Sequence, residues 1–315
     1  MLWIARRGRA RNSHPYCSYL FRLTSPFTDR VLSELEGHGS EPVERNDTIM
    51  ALGNGSREWK EETVHVDGTD LVVVKGGTGD PLLVLHEELG WPGWLKWNSA
   101  LARNRTLIIP QHPGFSRTER AEWISNIRDM AGFYARYLLE QHLAPIDAIG
   151  FSLGGWVAAE MAACNPAQFR KLVLVAPMGI RPRDGVILDF FQLMAPKHLF
   201  TTVHDPDATA EFDDLYGGQG PEQFERLEEA RAQSARLAWA PFMHNPSLPH
   251  LLGVTPSLPT LLIWGREDQV VPLSAAEEYK RVMKSARLSV FDNCGHRPEV
   301  EKPADFLREV EGFLS

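Results

Sequence analysis

The chain has 315 residues, of which 43 % are hydrophobic and 23 % charged; that suits one large α/β domain or two domains and argues against a disordered class. Lys and Arg number 33 against 41 Asp and Glu, a net charge of −8 that gives no support to a phosphate-tracking surface or general nucleic-acid binding. No apolar run reaches the roughly 20 residues of a membrane span, and Cys17, Cys164 and Cys294 are too scattered for a disulfide framework or a zinc site.

Residues 1–49 stand apart. They carry Arg6, Arg7, Arg9 and Arg11 and a polar stretch, with no sustained helical or alternating pattern. A basic, serine-containing start suits a transit peptide, but Glu34, Glu36 and Glu41 dilute that signal. The reading adopted is an extension outside the folded domain, with Met50 as the initiator and a cytoplasmic protein as the consequence.

From Glu61 the chain is regularly punctuated. Residues 63–66 and 71–74 flank Asp67-Gly68, a hairpin signal. Short apolar runs at 82–85, 106–109, 146–149, 171–175 and 260–264 have the composition of strands buried on both faces, as in a parallel sheet. Between them, residues 127–141 place Met130, Phe133, Tyr134, Tyr137 and Leu138 on one helical stripe, and 274–283 and 303–314 are similar. This order predicts an α/β fold, a mostly parallel sheet with helices on both faces. The alternation stops in residues 183–250, which read as a helical cap inserted over the sheet's carboxyl edge. The core is then 50–182 and 251–315.

Gly150-Phe151-Ser152-Leu153-Gly154 fits G-x-S-x-G directly after one predicted strand and before a helix-compatible stretch. A serine on such a turn presents its Oγ to the cleft, and the helix start aims the Leu153 N–H where an oxyanion would develop. A nucleophilic serine needs a base, and the base an orienting group. Among eleven histidines, His296 lies in a loop after the strand-like residues 287–291, where an imidazole can reach the elbow. Asp268 follows the strand ending at Trp264; Glu267 and Asp292 are its rivals for the acid.

These motifs, in the order Ser152, Asp268, His296, resemble the α/β-hydrolase superfamily over residues 61–314. Gly150 to Gly155 resembles its nucleophile elbow, and Pro113 to Thr118 its Pro-Gly loop. Gly265 to Pro272 resembles its acid segment, which selects Asp268, and Gly295 to Pro303 its catalytic-histidine loop. The resemblance implies an eight-stranded sheet, a Ser152–Asp268–His296 triad and no metal or organic cofactor. The segment from His86 departs from the family's His-Gly: Glu87 replaces glycine, and Glu88 falls at the second oxyanion donor. A Cβ at position 87 resists the backbone conformation that glycine permits. Either Glu87 and Glu88 point outward or pair with basic groups, or one of them contacts substrate or positions water.

The activity implied is carboxylic ester hydrolysis through an acyl-enzyme, on a small to medium apolar molecule contacted by Glu87, Trp91 and Phe151. One alternative is hydrolysis of a C–C bond in aromatic ring-cleavage products. Relatives with that activity tend to carry Asn before the serine and Trp after the histidine, where this chain has Phe151 and Arg297. A third reading is a weakly hydrolytic ligand receptor on the same fold. Acyl and alcohol preference and oligomeric state are not legible.

Overall fold

The computed structural model describes residues 58–255 and 257–315. The expected extension at 1–49 and its Met50 start lie outside the described residues. Strand β1 (Trp59–Val66) turns through Asp67 and Gly68, both at positive φ (47° and 79°), into antiparallel β2 (Thr69–Gly77). Positive φ at both central residues fits the twist of a two-residue hairpin, and Asp-Gly supplies it at low steric cost. The remaining strands are β3 (Asp80–Leu85), β4 (Arg105–Pro110), β5 (Ile146–Phe151), β6 (Phe169–Val175), β7 (Thr260–Gly265) and β8 (Ala286–Phe291).

They form one eight-stranded sheet in the order β1-β2-β4-β3-β5-β6-β7-β8. Strands β3 to β8 run parallel, and β1 and β2 are antiparallel to their neighbours. Strands β3 to β7 end in buried residues because helices cover both faces, whereas the edge strand β8 is half-buried through its centre. Helices α1 (Lys96–Leu101), α2 (Ile127–Glu140) and α3 (Ser152–Cys164) precede the insertion. In it lie α4 (Ala195–Thr201), α5 (Pro221–Ala238) and α6 (Leu248–Leu252); α7 (Ser274–Val282), α8 (Pro298–Glu301) and α9 (Pro303–Leu314) follow.

The alternation along β5 shows how the strands divide their side chains. Ile146 and Ala148 join a core with Met130 and Tyr134 of α2, Val157 of α3 and Tyr279 of α7. Ile149 and Phe151 face the other way, into a core with Trp97 of α1 and Phe306 and Val310 of α9.

Between Val175 and Thr260 the chain leaves the sheet, and the regular elements described there are helical. Backbone hydrogen bonds fasten it to loops of the core: Tyr216 N–H donates to the Pro92 carbonyl (2.8 Å), Leu188 N–H to Val270 (2.9 Å) and His296 N–H to Thr202 (2.8 Å).

Candidate active site

Ser152 opens α3 at the carboxyl end of the central strand β5 with φ = +47°, a conformation that is uncommon outside glycine. Its neighbours allow the turn to close. A Cβ on Gly150 would lie 2.6 Å from the Gly154 carbonyl oxygen, and one on Gly154 would lie 2.3 Å from that of His86. The helix is therefore seated directly against the chain leaving β3. Leu153, in the first turn of α3, has an N–H without an intrahelical acceptor.

Asp268 and His296 meet after β7 and β8, with His296 Nδ1 2.8 Å from Asp268 Oδ2 and both side chains buried. The other Asp268 oxygen accepts from the N–H groups of Val270 (2.8 Å) and Val271 (2.9 Å), which fixes the carboxylate. Its rivals are occupied elsewhere: Glu267 accepts from Cys294 N–H (2.9 Å), and Asp292 pairs with Arg266 on the surface. Burial alone would lower the His296 pKa, but Asp268, Glu88 and Glu87 push it up to about 9.

Ser152 Oγ, His296 Nε2 and Glu88 Oε2 are all buried and without a hydrogen-bond partner. Gly154, two residues after Ser152, is packed against the His86 carbonyl, which brings the segment carrying Glu88 to the serine turn, and the Ser152 hydroxyl and the His296 charge both favour ionised Glu88. Ser152 Oγ and His296 Nε2 are not hydrogen-bonded to each other; such contacts commonly tighten when substrate binds.

The segment after β3 behaves differently from expectation. Neither Glu87 nor Glu88 has a positive φ, so a Cβ at position 87 meets no backbone obstacle; the left-handed residue in this turn is Gly90 (φ 94°). Neither side chain points outward, since Glu87 is 4 % and Glu88 0 % exposed. Both instead pair with basic groups inside the protein. Glu87 Oε1 accepts from Arg297 Nη1 and from the Tyr216 hydroxyl, each at 2.6 Å. Arg297 also donates from Nη2 to Tyr216 Oη (2.6 Å) and from Nε to Thr202 Oγ1 (2.7 Å). Burial raises the Glu87 carboxyl above its ordinary value; Arg297 opposes that shift and Glu88 adds to it.

Glu88 Oε1 accepts from His198 Nε2 at 2.7 Å, and the Glu88 carbonyl accepts from Ser234 Oγ at 2.7 Å. His198 is in turn stacked on Phe190, with ring centroids 4.5 Å apart. Burial opposes ionisation of Glu88, but the His198 hydrogen bond, the charges of His198 and His296 and the Ser152 hydroxyl together hold its carboxyl below the usual range. Burial lowers the His198 pKa, and the hydrogen bond and charge of Glu88 oppose that shift.

Behind this segment His86 is held neutral, its pKa lowered by burial to about 4. Its Nε2 accepts from His112 N–H (2.9 Å), so Nδ1 carries the proton and donates to the Glu87 carbonyl (2.9 Å). His112 and Tyr134 continue the chain, with Tyr134 Oη 2.6 Å from His112 Nδ1.

Trp91, Phe151 and Glu87 line one cavity of about 20 Å³ with Val84, Trp97 and Glu299; Ser152, Leu153, Glu88 and His296 are not among its lining residues. Phe151 packs between Trp97 (5.3 Å) and Phe306 (6.1 Å), and Trp91 sets its ring edge on Trp59 (5.4 Å). Sequence reasoning overlooked His198 and Tyr216, which lie 110 and 129 residues from their glutamate partners. No local pattern marks either residue.

Among the described residues no cluster of three His, Cys, Asp or Glu is placed to hold a metal ion, and no helix is long and apolar enough to cross a membrane.

The chain is 24 % identical over 264 residues to 2-hydroxy-6-oxo-2,4-heptadienoate hydrolase of Pseudomonas putida, covering 76 % of this chain and 90 % of that one. It is 26 % identical to 2-hydroxymuconate semialdehyde hydrolase of a Pseudomonas species, covering 76 % and 88 %. Among solved structures, 2-hydroxy-6-oxo-6-phenylhexa-2,4-dienoate hydrolase of a Rhodococcus species superposes with a TM-score of 0.65 at 20 % identity, covering 82 % and 99 %. The model of the alpha/beta hydrolase family matches residues 82–309, which contain the serine elbow, the buried acid–histidine pair and the insertion, and the chain belongs to that family.

Proposed function

We propose that the protein is a serine hydrolase that cleaves a carboxylic ester of a small to medium apolar molecule through an acyl-enzyme. The observation that carries this reading is the buried Asp268–His296 pair, whose free Nε2 faces the same corner as a serine held at positive φ. Neutral His296 takes the Ser152 proton as Oγ attacks the carbonyl. Asp268 holds the tautomer and stabilises the imidazolium. The N–H groups of Leu153 and Glu88 receive the oxyanion, and one such donor is worth about 3 kcal/mol of barrier. His296 then protonates the leaving alcohol, and water, activated by the same imidazole, releases the acid. The insertion serves as a cap over this corner.

A second reading, hydrolysis of a C–C bond in a ring-cleavage product, is favoured by the names of the curated relatives. Those names describe carboxylates, which need a cation at the site. Arg297 is a poor candidate for that task, because Glu87, Tyr216 and Thr202 occupy all three of its nitrogens. The test is turnover of 4-nitrophenyl esters from acetate to decanoate, with Ser152→Ala alongside. Turnover with a chain-length optimum, lost at least 1,000-fold in the variant, is the expected result. Cleavage of a dienoate with no ester turnover would put the second reading first.

A further inference from the structure

The Glu88 carboxylate is a costly group to place beside a nucleophile that generates negative charge. It is fully buried, one oxygen is held by His198, and the other has no donor. Its backbone is fixed as well, by Ser234 of α5 on its carbonyl. A buried acceptor left without a donor is destabilising, and more so when it is charged. The Ser152 hydroxyl favours the ionised carboxylate, but it surrenders its proton during the reaction. The adjacent Glu87 shows the contrast, since two donors from Arg297 and Tyr216 meet its Oε1.

We propose that Glu88 Oε2 recognises substrate, accepting a hydrogen bond from a hydroxyl or ammonium group on the carbon next to the scissile carbonyl, so that esters of α-hydroxy and α-amino acids are preferred. The position follows from the packing of the Glu88 segment on the turn that carries Ser152, where a Cβ on Gly154 would lie 2.3 Å from the His86 carbonyl oxygen: a substituent on the α-carbon of an acyl group attacked by Oγ comes beside this segment. His198 acts as a positioning residue. Its Nε2–H aims the carboxylate, and its stacking on Phe190 fixes the ring. An anionic α-substituent meets repulsion at the same place.

This inference rests on Ser152 being the nucleophile, and the test separates the two ideas. The 2-naphthyl esters of isobutyric acid, lactic acid and alanine differ at the α-carbon only by methyl, hydroxyl or ammonium. A charge-assisted hydrogen bond predicts kcat/KM at least 10-fold higher for the lactate or alanine ester than for isobutyrate. In Glu88→Gln that ratio falls below 3-fold, because the neutral amide has lost the charge. Equal rates for the three esters in the wild type, or a ratio unchanged in Glu88→Gln, would overturn the role of Glu88 and leave the serine mechanism standing. No ester turnover and no labelling of Ser152 by a fluorophosphonate would overturn both. Should Glu88→Gln fail to fold, the wild-type ratio decides together with His198→Gln, in which a retained amide donor keeps more of the preference than His198→Phe does.

Discussion

Glu87 and Glu88 are adjacent in sequence, equally buried, and opposite in condition. Glu87 is paired with Arg297 and Tyr216, whereas one Glu88 oxygen is buried without a hydrogen-bond partner. Both charges act on His296, whose pKa is pushed up to about 9. The sign of the consequence is fixed. A general base works in its neutral form, so kcat/KM climbs as pH rises through about 9 and is lost as the imidazole becomes protonated below it. Removing one of the charges that hold the proton, in Glu88→Gln, moves this limb to lower pH. A pH–rate profile of both proteins on a simple ester checks it. An acid limb near 6.5 in each would show that the carboxylates do not govern the imidazole.

At the scale of elements, Arg297 ties three parts of the chain together: the histidine loop, the oxyanion segment through Glu87, and the insertion through Thr202 and Tyr216. Removing one partner of a buried ion pair leaves an uncompensated charge and costs about 3–5 kcal/mol, whereas removing both is often close to neutral. Arg297→Met is therefore expected to lower unfolding stability by several kcal/mol, and Arg297→Met combined with Glu87→Met to recover much of it. Urea denaturation of the two single variants and the double one measures the coupling; additive losses would show that the pair is not a unit. Most elements in this arrangement were legible. The runs at 82–85, 106–109 and 146–149 marked β3, β4 and β5, since strands buried on both faces leave little but apolar residues to read. The elbow at Ser152 was legible because a sharp turn between strand and helix demands small neighbours, and its pattern is local. The inward turn of Glu87 and Glu88 was not, because buried charge is decided by distant partners. Arg297 was visible as a departure from a pattern, but its role depends on Tyr216, 81 residues away.

Across the whole molecule, the links that shape the site span most of the described chain. Glu88 meets His198 across 110 residues and Ser234 across 146, and Glu87 meets Arg297 across 210. Contacts of such separation form late, because ordering the intervening chain costs entropy before the contact returns any stabilisation. The hairpin of β1 and β2 and the helices close locally and need no such wait. The two halves of the catalytic corner thus mature on different clocks. On dilution from denaturant, far-UV ellipticity is expected to recover before ester turnover does, with the delay lengthened in Arg297→Met. Simultaneous recovery of both signals would show that the distant clasp is in place as early as the sheet. The ion pair at Glu87 then has a temporal meaning beside its spatial one: the nascent chain presents its serine before the oxyanion segment has been pinned, and remains a poor hydrolase until the final fifth of its sequence has arrived.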